Sequence, residues 1–167
     1  LHLSIRRQRQ MCIRDRIPNR ADGSHDVDAM IAAISDRTRL VILNNPNNPT
    51  SASLSEEEAR KVLDAVPSDV LVLIDEAYVQ FNTAKGTANG IKLYHEYPNV
   101  VVAQTFSKAY GLAGLRIGYG IAPAEVVDGM RKVAVPFGVS QIAQVAALAS
   151  LEAVSYTHLT LPTNREV

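Results

Sequence analysis

The sequence has little of what disulfides, cysteine-rich metal centres, membrane spans and nucleic-acid surfaces require. Cys12 is the only cysteine, which excludes an intrachain disulfide framework and a multi-cysteine metal site and fits a reducing compartment. No apolar run reaches the roughly 18 residues of a membrane-spanning helix. The 17 basic side chains are balanced by 17 acidic ones, so no positive surplus favours a phosphate backbone. We therefore expect a soluble, cytoplasmic protein that binds no metal, no membrane and no nucleic acid.

What the chain has is enough apolar residues for a core, because 47% of its 167 residues are hydrophobic and 20% are charged. Helical patterns occur at 26–35, 55–66, 124–133 and 140–153. Short runs of Val, Leu and Ile lie between them, at 40–43, 70–74, 100–103 and 117–121. Runs that are apolar on both faces suit strands covered by helices on both sides. The alternation predicts an α/β fold, one partial domain with a mostly parallel sheet flanked by helices on both faces.

The two ends differ from the middle. Residues 1–16 hold five arginines and one aspartate, a local charge of +4. The strings RRQRQMCIRDR and VSYTHLTLPTNREV resemble translated sequencing-adapter read-through. On this interpretation residues 1–16 and 154–167 are non-native tails that make few contacts with the core, and residues 17–153 are the informative segment. The alternative is a basic arm at the start and an extra strand over 155–161.

Polar residues follow three of the apolar runs. NNPNNPT occupies residues 44–50, DEAY occupies 75–78 and QTFSK occupies 104–108. In an open parallel sheet, ligands bind beyond the carboxyl ends of the strands. We therefore expect these three loops to converge on one rim of the sheet.

The residue types in these loops suit an anionic ligand that contains nitrogen. Arg116 follows Lys108 by eight residues, beyond a loop whose two glycines let the backbone turn back towards the rim. Thr105, Ser107 and Arg116 can hold a phosphate, and Asp75 can hold a cationic ring nitrogen. Lys108 is left for Schiff-base chemistry.

Three strings, NNPNNPT, VLIDEAY and TFSKAYGLAGLRIGY, together resemble the fold-type-I aminotransferases that depend on pyridoxal 5'-phosphate. With the stretch that precedes NNPNNPT, they are most similar to the histidinol-phosphate aminotransferases. The resemblance covers residues 17–153 and implies a partial cofactor-binding large domain of a homodimeric enzyme. It also implies amino transfer from histidinol phosphate to 2-oxoglutarate, a step of histidine biosynthesis. Aromatic aminotransferases and threonine-phosphate decarboxylases are the alternatives within the family.

The resemblance implies a role for each matching residue. Lys108 would bind the cofactor as a Schiff base and move a proton between the substrate Cα and the cofactor C4′. Asp75 would pair with the protonated pyridine nitrogen, while Asn48 and Tyr78 would hydrogen-bond the 3′ oxygen of the ring. The phosphate would be bound by Thr105, Ser107 and Arg116. Ordinary roles stay open for four of these residues: a surface charge for Lys108, a helix cap for Asp75, a turn for Asn48 and a core edge for Tyr78.

The chain departs from the family pattern at two positions. Ser51 stands where the family usually has glycine, at a position that often has a positive φ. Gln80 stands where acidic residues are common. In the family, an arginine binds the substrate carboxylate and an aromatic residue stacks on the cofactor ring. The arginine would follow residue 153, and the aromatic residue would precede residue 17. We therefore expect the segment alone to be inactive.

Other polar residues have structural interpretations, and two other functions are alternatives. We interpret Glu76 as structural, Asn45 and Asn47 as turn formers, and His25 and His95 as surface or capping residues. A nucleotide hydrolase is a rival, because an apolar strand followed by Asp75-Glu76 resembles a Walker B strand, yet no G-x-x-x-x-G-K-[ST] loop occurs. A scaffold that holds no cofactor is the non-enzymatic alternative.

Overall fold

The computed structural model describes residues 15–153. The prediction for the two tails therefore falls outside the described residues, apart from Asp15 and Arg16, which are both exposed. None of the described helices is long and apolar enough to cross a membrane.

The described chain alternates helices and strands. Its helices are α1 (Val27–Ala32), α2 (Glu56–Ala65), α3 (Gly90–Glu96), α4 (Ala124–Val133) and α5 (Gln141–Glu152). Its strands are β1 (Leu40–Asn44), β2 (Leu71–Asp75), β3 (Val100–Thr105) and β4 (Gly118–Ile121). Short 3₁₀ turns occupy Val79–Phe81 and Ala113–Leu115. The four predicted strands and four predicted helices are confirmed with small shifts of their ends, whereas α3 was not predicted.

The four strands form one sheet in the order β1-β2-β3-β4. β1, β2 and β3 are parallel, and β4 runs antiparallel to β3. The register aligns Asn44 with Asp75 and Asp75 with Ala103, so the carboxyl ends of the three parallel strands lie level. The mostly parallel sheet is confirmed, with β4 as its antiparallel edge strand.

Helices cover the two faces of the sheet unequally. The main core lies on the face where Val72 and Ile74 of β2 point, against Val62 of α2 and Leu93 of α3, all at most 1% exposed. On the opposite face α4 contributes Val127 and Met130 to an apolar cavity of about 380 Å³, which Val101 and Gly120 also line. Helices on both faces are therefore confirmed, with a tighter core on the α2–α3 side.

Local sequence explains where α2 begins. The Ser55 hydroxyl accepts a hydrogen bond from the Glu58 backbone N–H at 3.2 Å, and the Glu58 carboxylate accepts one from the Ser55 backbone N–H at 3.1 Å. This is the capping box expected from a serine followed three residues later by glutamate. The helix that begins there buries Ala59, Val62 and Leu63.

Apolar side chains remain exposed at one edge of the sheet and on the last two helices. Leu40 and Ile42 of the edge strand β1 are 49% and 48% exposed. On α4, α5 and the loop between them, exposed apolar residues include Met130, Val133, Val135, Phe137, Ile142, Val145 and Leu148. Apolar side chains exposed in such numbers indicate where other polypeptide packs.

Candidate active site

Three loops leave the sheet at the carboxyl ends of β1, β2 and β3, and two of their contacts join all three. The Asn48 side-chain amide donates a hydrogen bond to the Tyr78 hydroxyl at 2.9 Å. The Lys108 amine lies 5.1 Å from the centre of the Tyr78 ring. Tyr78 is half-buried, while Asn48 and Lys108 are exposed. The convergence of the loops predicted from the sequence is therefore present.

A second group of donors surrounds the residue before the lysine. The Ser107 backbone N–H donates to the Thr105 hydroxyl at 3.1 Å, and the Arg116 guanidinium donates to the Ser107 hydroxyl at 3.4 Å. Arg116 has a φ of 51° and also donates to the Ala113 carbonyl at 2.7 Å. The turn after Lys108 thus folds the arginine back onto the Ser107 hydroxyl, beside the Thr105 hydroxyl that the Ser107 N–H contacts. One cation and two hydroxyls in a cluster are suited to a phosphate group.

Asp75 ends β2 between the other two parallel strands. Its Oδ1 accepts a hydrogen bond from the Ala77 backbone N–H at 3.0 Å. Within residues 15–153 its Oδ2 accepts no hydrogen bond. The carboxylate is half-buried. It therefore caps the turn that presents Tyr78 and keeps one oxygen available for a cationic partner.

Asn48 and Tyr78 also line a cleft of about 420 Å³, together with Phe81 and Asn82. Asp75, Lys108 and Arg116 are not part of its wall. The cleft therefore joins the loops that follow β1 and β2. The individual roles assigned above to the site residues stay predictions.

Asn45 has a larger structural part than the sequence indicated. It is 1% exposed, and its side chain donates to the Ala88 carbonyl at 3.0 Å and accepts from the Leu54 N–H at 2.9 Å. It thereby ties the loop that carries Asn48 to two other segments. No local signal reveals this role, because the partners lie 43 and 9 residues away.

Asn47 and His25 behave as the sequence indicated. Asn47 donates to the Thr50 hydroxyl at 2.7 Å within the same turn. The His25 Nε2 lies 2.8 Å from the Asn44 carbonyl oxygen, so this side chain caps the end of β1.

Ser51 has a φ of 60°, which confirms the expectation of a positive φ at this position. Because αL backbone costs an L-residue roughly 1–2 kcal/mol while glycine loses about 0.5–1 kcal/mol of entropy, Ser51→Gly should raise the free energy of unfolding by up to about 1 kcal/mol. Urea unfolding measures the change. Gly86→Ala is the matched control and should lower the free energy of unfolding, since Gly86 has a φ of 74° with open space around it. A lower stability of Ser51→Gly would contradict the prediction.

A family model described as "Aminotransferase class I and II" matches residues 4–166. The chain belongs to this family. Its curated relatives include the aromatic amino acid aminotransferase of Rhodococcus jostii, 54% identical over 138 residues, which are 83% of this chain and 38% of that protein. The corresponding protein of Streptomyces coelicolor is 55% identical over 138 residues, with the same shares covered. The chain thus spans 38% of the length of these aminotransferases.

Solved structures of an aminotransferase and of a decarboxylase have the same fold. Histidinol-phosphate aminotransferase from Sinorhizobium meliloti, in complex with pyridoxal-5'-phosphate, is 34% identical with a TM-score of 0.76, over 85% of this chain and 38% of that one. L-threonine-O-3-phosphate decarboxylase from Porphyromonas gingivalis is 29% identical with a TM-score of 0.65, over 79% and 39%. The family predicted from the three strings is confirmed, and the nucleotide-hydrolase alternative loses its support. The similar structures include a histidinol-phosphate aminotransferase, in line with the narrower resemblance. The curated relatives given above are instead named aromatic amino acid aminotransferases.

Proposed function

We propose that residues 17–153 are the cofactor-binding segment of a longer aminotransferase, called here the complete enzyme. The complete enzyme transfers the amino group of an aromatic amino acid to a 2-oxo acid and uses pyridoxal 5'-phosphate. The observation that carries the proposal is that Asn48 contacts the Tyr78 hydroxyl and Lys108 lies over the Tyr78 ring, next to the Thr105–Ser107–Arg116 cluster. Family membership supplies the reaction class.

The residues present fit the cofactor. Pyridoxal phosphate, when bound, supplies the electron sink that makes a substrate Cα–H bond acidic. The hydroxyls and guanidinium around Ser107 match a phosphate, and the Oδ2 atom of Asp75 is available for a protonated ring nitrogen. Removing one partner of such a buried pair typically costs roughly 3–5 kcal/mol, so we expect Asp75 to matter for both cofactor affinity and rate.

Tyr78 is prepared to act as a donor. Its hydroxyl oxygen accepts a hydrogen bond from the Asn48 amide at 2.9 Å, which directs the tyrosine's own proton elsewhere. A ring oxygen held beside Tyr78 and Asn48 would therefore receive hydrogen bonds from both.

Lys108 is suited to move a proton. Its amine is exposed at the rim and lies over the Tyr78 ring. In the complete enzyme this Nζ atom would accept the proton from the substrate Cα and deliver it to C4′ of the cofactor, as a positioned general base and acid.

The proposed substrate class rests on the curated relatives. Aromatic amino acid aminotransferases are 54% and 55% identical to this chain, whereas the histidinol-phosphate aminotransferase structure is 34% identical. Histidinol phosphate is the second candidate, favoured by the TM-score of 0.76 with that structure.

We further propose that the complete enzyme is a cytoplasmic homodimer. The exposed apolar residues of α5, among them Ile142 at 75% and Leu148 at 63% exposure, need covering by other polypeptide. The rest of the complete enzyme and a second subunit would supply the polypeptide that covers these residues.

The substrate proposal is tested by assaying the complete enzyme with phenylalanine and with histidinol phosphate, each with 2-oxoglutarate. We expect kcat/KM to be about tenfold or more higher for phenylalanine, the scale on which one pocket discriminates between related substrates. A higher kcat/KM for histidinol phosphate would make the second candidate correct. Turnover of neither substrate would refute both.

A further inference from the structure

Glu76 is a buried carboxylate that the proposed reaction does not use. It is 2% exposed, the one charged residue among the buried residues in the described part of the chain. Its Oε1 accepts a hydrogen bond from the Gly90 backbone N–H at 2.7 Å, and its Oε2 accepts one from the Gln104 side-chain amide at 2.7 Å. A carboxylate is unfavourable in a protein interior unless it is hydrogen-bonded. These two bonds therefore fix both of its oxygens.

The hydrogen bonds continue from Glu76 across the sheet in one direction. Gln104 turns its carbonyl oxygen to the Tyr119 hydroxyl, which donates at 2.6 Å. Because an ionised carboxylate only accepts hydrogen bonds, it dictates which way the Gln104 amide faces. Burial raises the pKa of Tyr119, with the charges of Tyr110 and Glu76 acting in the same direction. The hydroxyl therefore stays protonated and remains a donor.

This relay lies directly behind two residues of the candidate site. Asp75 precedes Glu76, and Thr105 follows Gln104. Side chains alternate between the two faces of a sheet along each strand, so Asp75 and Thr105 point to the face opposite the relay. The Glu76 backbone N–H also donates to the Ala103 carbonyl at 2.9 Å, which extends the β2–β3 ladder past Asp75.

We infer that Glu76 is a positioning residue for the cofactor site. By joining the ends of β2, β3 and β4, it fixes the backbone from which Asp75, Thr105 and the loop to Lys108 project. This inference rests on the proposed function.

Gly90 is part of the same arrangement. A Cβ atom at this position would lie 2.7 Å from the Glu76 Oε1 and 3.1 Å from Cγ2 of Val102. The close approach leaves room only for glycine. Gly90→Ala therefore displaces the Glu76 carboxylate without altering any residue of the candidate site.

The test measures the Kd for pyridoxal phosphate of the cofactor-free complete enzyme by absorption titration, and its stability by urea unfolding. Glu76→Gln and Gly90→Ala are expected to raise the Kd about tenfold or more, the effect that outer hydrogen-bond partners have at metal sites. Tyr119→Phe removes only the last bond of the relay and should raise the Kd roughly threefold. Asn99→Ala is the matched structural control.

Asn99 is 5% exposed and donates to the Val70 carbonyl at 2.8 Å, at the amino end of β2. Its replacement should lower stability and leave the Kd within about twofold, as expected for independent sites. If Asn99→Ala weakens binding as much as Glu76→Gln, or if Glu76→Gln and Gly90→Ala leave the Kd unchanged, the inference is wrong. Should Glu76→Gln fail to fold, the Kd values of Gly90→Ala and Tyr119→Phe test the inference in its place. An unaltered enzyme that binds no pyridoxal phosphate would instead overturn the proposed function, and this inference with it.

Discussion

Lys108→Ala is expected to lower the transamination rate of the complete enzyme by about 10⁴-fold, the upper range for loss of a positioned proton-transfer group. The amine lies 5.1 Å from the Tyr78 ring at the rim where the three loops meet. Its removal takes away both the group that would bind the cofactor covalently and the base that would accept the substrate proton. Steady-state turnover with phenylalanine and 2-oxoglutarate measures the loss.

Two further variants separate chemistry from charge. Lys108→Arg keeps the cation but does not form a Schiff base, so it should be as inactive as the alanine variant. Lys85→Ala removes an exposed lysine of another loop and should retain full activity. Borohydride reduction followed by mass spectrometry should attach the cofactor to Lys108 in the unaltered enzyme only. Turnover of Lys108→Ala above about a tenth of normal would refute the assignment, because a loss below tenfold corresponds to under 1.4 kcal/mol.

Residues 17–153 expressed alone are expected to be slower than the complete enzyme by roughly 10⁵- to 10⁸-fold. Orientation of the reacting bond accounts for about 7–11 kcal/mol of barrier lowering in well-positioned reactions, and each 1.36 kcal/mol corresponds to about tenfold in rate. The resemblance places the arginine that grips the substrate carboxylate beyond residue 153 and the ring-stacking residue before residue 17. The exposed edge strand β1, with Leu40 49% exposed, also favours aggregation of the isolated segment.

The comparison needs a control for folding. Circular dichroism and gel filtration of the isolated segment show whether helices and strands form and whether the protein stays monodisperse. The matched activity control joins residues 17–153 to the flanking parts of the Rhodococcus jostii relative, in place of the corresponding segment. Activity of this chimera together with inactivity of the folded segment would support the prediction. Turnover of the segment within about 100-fold of the complete enzyme would show that the flanking parts are dispensable.

Much of the secondary structure could be predicted from the sequence because the signals are local. Ser55 and Glu58 are three residues apart, so the capping box that begins α2 is visible in the chain itself. The apolar run of β2 is followed at once by Asp75, which marks the carboxyl end of the strand and hence the rim of the sheet. The three strings likewise determined the family, since each carries its residues at fixed spacing.

Helix α3 could not be predicted in this way. It has seven residues, begins with Gly90 and has Leu93 as its one large buried side chain, too short a segment for a helical period to stand out. The helix is stabilised by contacts from distant parts of the chain. Its first N–H is bound by Glu76, and Leu93 packs in the core beside β3.

The sequence by itself determined the strands, most helices, the family and the residues that are candidates for cofactor chemistry, because these depend on residue type and on spacing within a few positions. Only the tertiary structure decided how those residues are supported. Asn45 binds segments 9 and 43 residues away, and Glu76 bridges to Gly90 and Gln104, 14 and 28 residues away. A buried polar side chain must find its partners wherever the folded chain brings them, and nothing in its immediate sequence specifies which partners those are.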